Sequence, residues 1–338
     1  LQNVATSALG KSMGSVVALQ PQTGDVLAMV SHPYCAPDLL DRSTYFASCS
    51  RSRQKPLLNR ALNLLVPPGS AFKIVTLTAA LDSGRFKLSD VFSGADAFGP
   101  SPFFDNSLYP SNVTRSDLTA LTLKQALAFS DNFAFAHIGL TLGAQTLLKY
   151  AHLYLVGRHI PFELPTAPSV IANGSLRPTL SVLAQSAFGA ATDQVTPLQM
   201  AMIASTVANG GIMMTPHVVR DLEQSGGHII QRFHDQSFRR VMSKQAAKAV
   251  AEGMRFVVVH GSGFRAQISG INVAGKTGTA ASSGNKPNAW FICFAPIQHP
   301  VIAVAILHEF SGEGFEYAAP IARKVLVAAL REHGYHVH

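Results

Sequence analysis

A serine three residues ahead of a lysine sets a hydroxyl and an amine one helical turn apart on one face. From there the amine can take the hydroxyl proton during nucleophilic attack. Three such pairs occur, Ser52/Lys55, Ser70/Lys73 and Ser283/Lys286, so the pattern alone selects none of them. Context separates them. Ser52 lies among Arg51, Arg53 and Gln54, and Ser283 lies in the turn-like Ser282-Ser283-Gly284-Asn285, so neither has a rigid element to hold it. Ser70 follows Pro67-Pro68-Gly69 and opens an apolar helical run that ends near Gly84. Lys73 then falls one turn on, able to act as a base once burial or a nearby cation lowers its pKa from about 10.4. The free N–H groups and dipole of a first helical turn would favour a developing oxyanion. The competing reading is a serine cap followed by a solvated lysine.

Two further segments carry polar groups in unusual settings. Ser130-Asp131-Asn132 stands between two helical runs, where a capping loop is the ordinary reading. Gly275-Lys276-Thr277-Gly278-Thr279 interrupts a β-rich run with residues that strands disfavour. Paired glycines in a strand signal the close approach of another backbone or a ligand. An edge strand built this way would offer an extended peptide a cation, hydroxyls and a free backbone edge.

These segments need elements to position them. Gly14 to Leu19 and Asp25 to Val30 read as a hairpin around Gln20-Pro21-Gln22-Thr23-Gly24. Ile271 to Thr279, Ala289 to Phe294 and Val301 to His308 form a second β-rich block, and Ala318 to Leu330 closes as an amphipathic helix. Between them, Phe72 to Leu81, Leu121 to Phe129, Phe133 to Leu142, Ala144 to Leu155 and Leu198 to Ala208 carry helical periodicity. Thr196 and Pro197 suit the start of the last of these, and Gly210-Gly211 its end. The expected architecture is α+β: an antiparallel sheet of about five strands from the N- and C-terminal segments, flanked by helices. A mostly helical lobe is inserted in it, about residues 66–214, against a sheet-bearing sublobe of about 1–65 and 215–338. Loops at Ser93 to Asn112 and Pro161 to Pro178 would edge a cleft between the two.

Composition narrows the function classes. With 338 residues, 47% hydrophobic and 14% charged, the chain can bury a large core and is not disordered. Its net charge of +8 comes from scattered Lys and Arg without a basic helix face, which argues against nucleic-acid binding. No run approaches the roughly 18 to 20 apolar residues of a membrane span. No signal peptide begins at Leu1, so an anchoring or targeting segment is expected upstream. Cys293 sits in an apolar strand as a small hydrophobe, while Cys35 and Cys49 flank a polar segment and are left open between free and paired. His137, His217, His260 and His308 show neither metal-ligand spacing nor a triad, so no metal is assigned.

Taken in order, Ser70-x-x-Lys73, Ser130-x-Asn132 and Lys276-Thr277-Gly278 resemble the three motifs of the penicillin-recognising serine acyl-transferases. Outside the motifs the chain is most similar to the transpeptidase domain of class B penicillin-binding proteins. That likeness rests on Val17 to Gly24, Asn59-Arg60-Ala61, Pro68 to Lys73, Thr196 to Met200, Ala208 to Gly211 and Trp290-Phe291. It departs at Cys35-Ala36-Pro37-Asp38, at Ala71 after the serine and at Ala281 past the third motif.

The resemblance implies roles. Ser70 would be acylated and Lys73 would deprotonate it, Ser130 would relay a proton, and Asn132 would orient Lys73 and the substrate amide. Lys276 would supply positive potential and hold Ser130, with Thr277, Gly278 and Thr279 binding the substrate. The backbone N–H groups of Ser70 and Thr279 would form the oxyanion hole. It further implies a D,D-transpeptidase of peptidoglycan stem peptides, inhibited by β-lactam antibiotics, needing no cofactor. The enzyme would act at the extracytoplasmic face of the bacterial membrane, beside a membrane glycosyltransferase. A β-lactamase, a D,D-carboxypeptidase and a penicillin-binding sensor or scaffold are the alternatives. Against a lactamase, Glu163-Leu164-Pro165-Thr166-Ala167 lacks the Glu-x-x-Leu-Asn pattern, leaving Glu163 a solvated loop carboxylate.

Overall fold

The structure is a computed structural model and describes residues 1–94 and 119–337. Most of the loop expected at Ser93 to Asn112 lies outside the described residues.

Five strands form one antiparallel sheet: β1 (Gly14–Leu19), β2 (Val26–His32), β3 (Ala274–Ala280), β4 (Asn288–Ala295) and β5 (Ile302–His308). Their spatial order is β2-β1-β5-β4-β3, so N- and C-terminal segments interleave and β3 lies at an edge. The expected hairpin is present between β1 and β2, and the expected sheet is confirmed as a unit of the α+β fold.

Period-2 alternation distributes the strand side chains between two cores. Val17, Leu19, Trp290, Ile292, Phe294, Ala303, Ala305 and Leu307 face the helical half. Val16, Ala18, Phe291, Cys293, Ile302, Val304 and Ile306 face the other way. The helices Gln2–Leu9 and Gly314–Glu332 cover that second face. Because both faces are buried, β1 and β4 are buried along their whole length and read in sequence as apolar runs.

On the helical side, Pro197–Ala208 lies across the sheet, and every residue from Pro197 to Val207 is buried. Its start follows the sequence signals: the Thr196 hydroxyl accepts from Gln199 N–H at 3.2 Å and Pro197 occupies the first turn. The two runs expected at Phe133 to Leu142 and Ala144 to Leu155 form one span, Asn132–Leu153, broken where Gly143 adopts φ 76°. The run expected from Leu121 starts later, at Leu123, because Thr122 and Gln125 close a capping box and Ala120–Thr122 pairs with Val91–Ser93.

A buried ion pair ties residues 51–60 to the end of β5. Arg60 Nε donates to Glu309 Oε1 at 2.7 Å, and its other nitrogens donate to the carbonyls of Lys55 and Gln54. Both side chains are almost wholly buried, so removing one partner strands the other charge. Glu309→Ala should therefore cost about 3–5 kcal/mol in urea unfolding. A loss below about 1 kcal/mol would mean that the two carbonyls alone satisfy the guanidinium.

Candidate active site

Ser70 sits where the Pro67-Pro68-Gly69 turn meets a helix. Gly69–Phe72 makes a single tight 3-10 turn, and the α-helix Lys73–Asp82 follows directly. Gly69 holds φ 53°, a left-handed conformation that L side chains rarely adopt. Space enforces the same choice, since a Cβ there would lie 2.5 Å from the Thr279 carbonyl oxygen and 3.1 Å from its nitrogen. From the other side, a Cβ on Gly278 would come within 2.7 Å of Pro68 O and 3.0 Å of Ala71 N. The glycines are thus the points at which strand and turn backbones touch, the close approach that the glycines of β3 signal in sequence. Trp290 on β4 fixes the turn from below, its indole N–H donating to Pro67 O at 2.9 Å.

Ser130 lies between the helices Leu123–Ala128 and Asn132–Leu153, with φ 62°. Its neighbour Asp131 caps the second helix through Ala134 N–H at 2.8 Å. That cap turns the chain so that Ser130 and Asn132 both reach Lys73.

Lys73 is fully buried, and its Nζ lies 2.6 Å from Ser130 O, 2.6 Å from Asn132 Oδ1, 3.0 Å from Ser70 Oγ and 3.3 Å from Ser130 Oγ. Burial holds its pKa well below the usual lysine value, and the neighbouring Lys276 cation pushes the same way against a smaller opposing effect of Asp131. A neutral lysine has two N–H bonds and one lone pair. The two carbonyl oxygens can only accept, so they take the N–H bonds and leave the lone pair for a hydroxyl. Ser70 Oγ is the nearer hydroxyl.

Lys276 is equally buried and lies 2.9 Å from Ser130 Oγ and 2.9 Å from Thr277 O. Burial lowers its pKa to about 7. Ser130 Oγ thus stands between two lysine nitrogens, each placed by a different element. Thr277 Oγ1 is 2.6 Å from Ser262 Oγ, and Thr279 Oγ1 donates to Glu313 Oε2 at 2.6 Å. All of Ser70, Lys73, Ser130, Asn132 and Lys276 to Thr279 therefore converge on one place. The other two Ser-x-x-Lys pairs do not: Lys55, Ser283 and Lys286 are exposed. Glu163 is exposed as expected and accepts from Val218 and Val219 N–H.

Ser262 and Glu313 escaped the sequence reading. Ser262 follows the long helix Lys244–His260 in a loop whose local pattern is that of any polar turn. Glu313 did leave a signal, an acidic residue at the start of an apolar helical run, but its bond to Thr279 is visible only in three dimensions.

The chain belongs to the penicillin-binding protein transpeptidase domain family, whose model matches residues 14–327. It is 35% identical to the peptidoglycan D,D-transpeptidase PbpA of Mycolicibacterium smegmatis, over 96% of this chain and 68% of that protein. Identity to the Mycobacterium tuberculosis PbpA is 34%, over 95% of this chain and 68% of the relative. Among solved structures, penicillin-binding protein A from M. tuberculosis as a ceftriaxone acyl-enzyme superposes with a TM-score of 0.87 at 32% identity. That match covers 97% of this chain and 77% of the other.

The buried lysines make stability depend on pH. A lysine whose pKa is lowered on folding binds fewer protons in the native than in the unfolded chain between the two values. Stability then rises with pH across that interval. For Lys276 the window opens near 7 and closes near the free-lysine value of about 10.4. Unfolding free energy measured in urea from pH 7 to 10 should climb in the wild type and climb less in Lys276→Met. Parallel profiles would show that Lys276 carries no such shift.

Proposed function

We propose that this chain is a serine D,D-transpeptidase that cross-links peptidoglycan stem peptides through a Ser70 acyl-enzyme and is inhibited covalently by β-lactams. The carrying observation is the Lys73 amine, buried and depressed in pKa, with both N–H bonds directed to carbonyl oxygens and Ser70 Oγ at 3.0 Å.

Ser70 Oγ attacks the carbonyl of the penultimate residue of a stem peptide as its proton passes to Lys73 Nζ. The new C–O bond drives charge onto the carbonyl oxygen, which the backbone N–H groups of Ser70 and Thr279 receive. One such donor is worth about 3 kcal/mol in the transition state. As the amide C–N bond breaks, the leaving amine takes a proton from Ser130 Oγ, and Lys73 returns one to Ser130. Lys276 keeps positive potential at Ser130 and at the terminal carboxylate of the substrate, which Thr277 and Thr279 bind across Gly278. An amine from a second stem then attacks the ester and frees Ser70. Asn132 orients Lys73 and the substrate amide.

The location follows from the same reading. An enzyme of wall cross-linking works outside the cytoplasmic membrane, and the Cys35–Cys49 disulfide suits an oxidising compartment. Among the described residues no helix is long and apolar enough to cross a membrane. A membrane anchor and a membrane glycosyltransferase partner complete the proposal. So does a division of the chain into a helical sublobe near 66–214 and a sheet-bearing remainder.

Intact-mass spectrometry with benzylpenicillin tests it. The wild type should gain one adduct that persists for many minutes, and Ser70→Ala none. Lys73→Ala should acylate orders of magnitude more slowly. Rapid drug loss with return to the free mass would assign a β-lactamase instead. A labelled Ser70→Ala would remove Ser70 as the nucleophile.

A further inference from the structure

Far from Ser70 in sequence, Asp221–Glu223 and Ile229–Arg232 pair as a hairpin whose second strand is exposed at every residue. Near its foot, donor atoms of Asp25, His217 and Asp235 come within 4.8 Å of one another. They derive from the turn before β2 and from either side of the hairpin. No local spacing joins them, which is why His217 reads in sequence as a structural histidine.

Two of the three stand on paired backbone. Val26 N–H donates to His217 O at 2.9 Å, and His217 N–H donates to Gly24 O at 3.1 Å. The ring and carboxylate are each oriented from behind. His217 Nδ1 lies 3.3 Å from Thr215 O, and a carbonyl can only accept, so Nδ1 carries a proton and the tautomer with a lone pair on Nε2 is the one that this contact supports. Asp25 Oδ2 accepts from the Thr23 hydroxyl at 2.8 Å, which leaves Oδ1 for the cluster.

The remaining contact is poor as a hydrogen bond. Among the described residues Nε2 is buried and without a hydrogen-bond partner, although Asp25 Oδ1 is only 2.9 Å away. That oxygen therefore sits off the line along which an N–H bond would point. Two ligands about 2.1 Å from a tetrahedral zinc stand about 3.4 Å apart, so at 2.9 Å the pair needs only a small outward shift of Asp25 Oδ1 to admit an ion. Asp235 Oδ1 lies 3.9 Å from Nε2 on a half-exposed side chain, with freedom to close in. A histidine whose second nitrogen meets a backbone carbonyl, beside a carboxylate held by a hydroxyl, is the arrangement of groups that support metal ligands.

We propose that Asp25, His217 and Asp235 form a divalent-cation site suited to Zn²⁺, with water in the remaining positions. One imidazole with two carboxylates favours zinc over Mg²⁺ or Ca²⁺, which take oxygen donors. The ion staples the foot of the hairpin to the start of β2. The rival arrangement is a protonated His217 between two carboxylates, which would be indifferent to metal.

Isothermal titration with Zn²⁺ on the whole chain, chelator-stripped and free of any affinity tag, decides between them. The chain has 13 histidines, so variants must locate the binding. The wild type should bind one equivalent tightly and gain melting temperature with zinc. Asp235→Asn and His217→Gln should each weaken that binding at least about tenfold and abolish the thermal gain. Asp235 is half exposed, so its variant should fold and be labelled by benzylpenicillin at the wild-type rate. No tight binding by the wild type, or unchanged affinity in either variant, would overturn the site.

Discussion

Two lysine side chains buried within reach of one serine hydroxyl are the constraint on which the rest of the centre depends. Lys73 and Lys276 both approach Ser130 Oγ, and among the described residues neither has a carboxylate as a hydrogen-bond partner. Two full positive charges at that spacing in a dry interior repel, and each lacks its hydration. Releasing a proton relieves both penalties, so burial and mutual repulsion act together to make a base from a normally protonated group. The fully buried Asp131 opposes them at Lys73 but is held as a helix cap with Ala134 N–H. The site thus tunes a lysine with geometry and dryness.

That dryness has to be built by packing, because the three polar segments are far apart in the chain. Ser70 belongs to a turn before one helix, Ser130 to the junction of two others, and Lys276 to the sheet edge. Gly69 and Gly278 let strand and turn come to backbone contact, and Trp290 holds the turn against β4. A side chain at either glycine would wedge the lysines apart before it disturbed any chemistry directly. Positioning here is a property of an interface between elements, which is why its tolerance is fractions of an ångström.

The legible parts of the fold were those with local causes. Thr196-Pro197 announced a helix start, Gly24 a turn, and the runs around Val17, Trp290 and Val304 announced strands. Ser70, Lys73, Ser130, Asn132 and Lys276 stood out through the order of three motifs that resembles a known family, since Ser130 and Asn132 alone read as a capping loop. The order of strands could not be derived from periodicity, and neither could the pairing of Cys35 with Cys49, whose Cα atoms the fold brings to 6.4 Å. Ser262 and Glu313 stayed hidden for the same reason: their partners, Thr277 and Thr279, are 15 and 34 residues away. Nothing in a local window encodes such a contact.

An open sheet edge is ordinarily a hazard, since its unpaired backbone groups can recruit another chain. Here β3 is that edge, and the same property suits it to an extended peptide. What separates use from hazard is the guard around it. The turn at Pro68 to Ala71 closes on the backbone at Gly278, and the buried Lys276 cation would repel a partner that brings positive charge. Thr279 donates its hydroxyl hydrogen to Glu313, a bond that an incoming carboxylate would have to displace. Under the proposed function, an incoming strand would carry an anion at one end and fit one register. The glycines, lysine and threonines that make β3 a poor strand by propensity are, on that reading, what would make its edge selective.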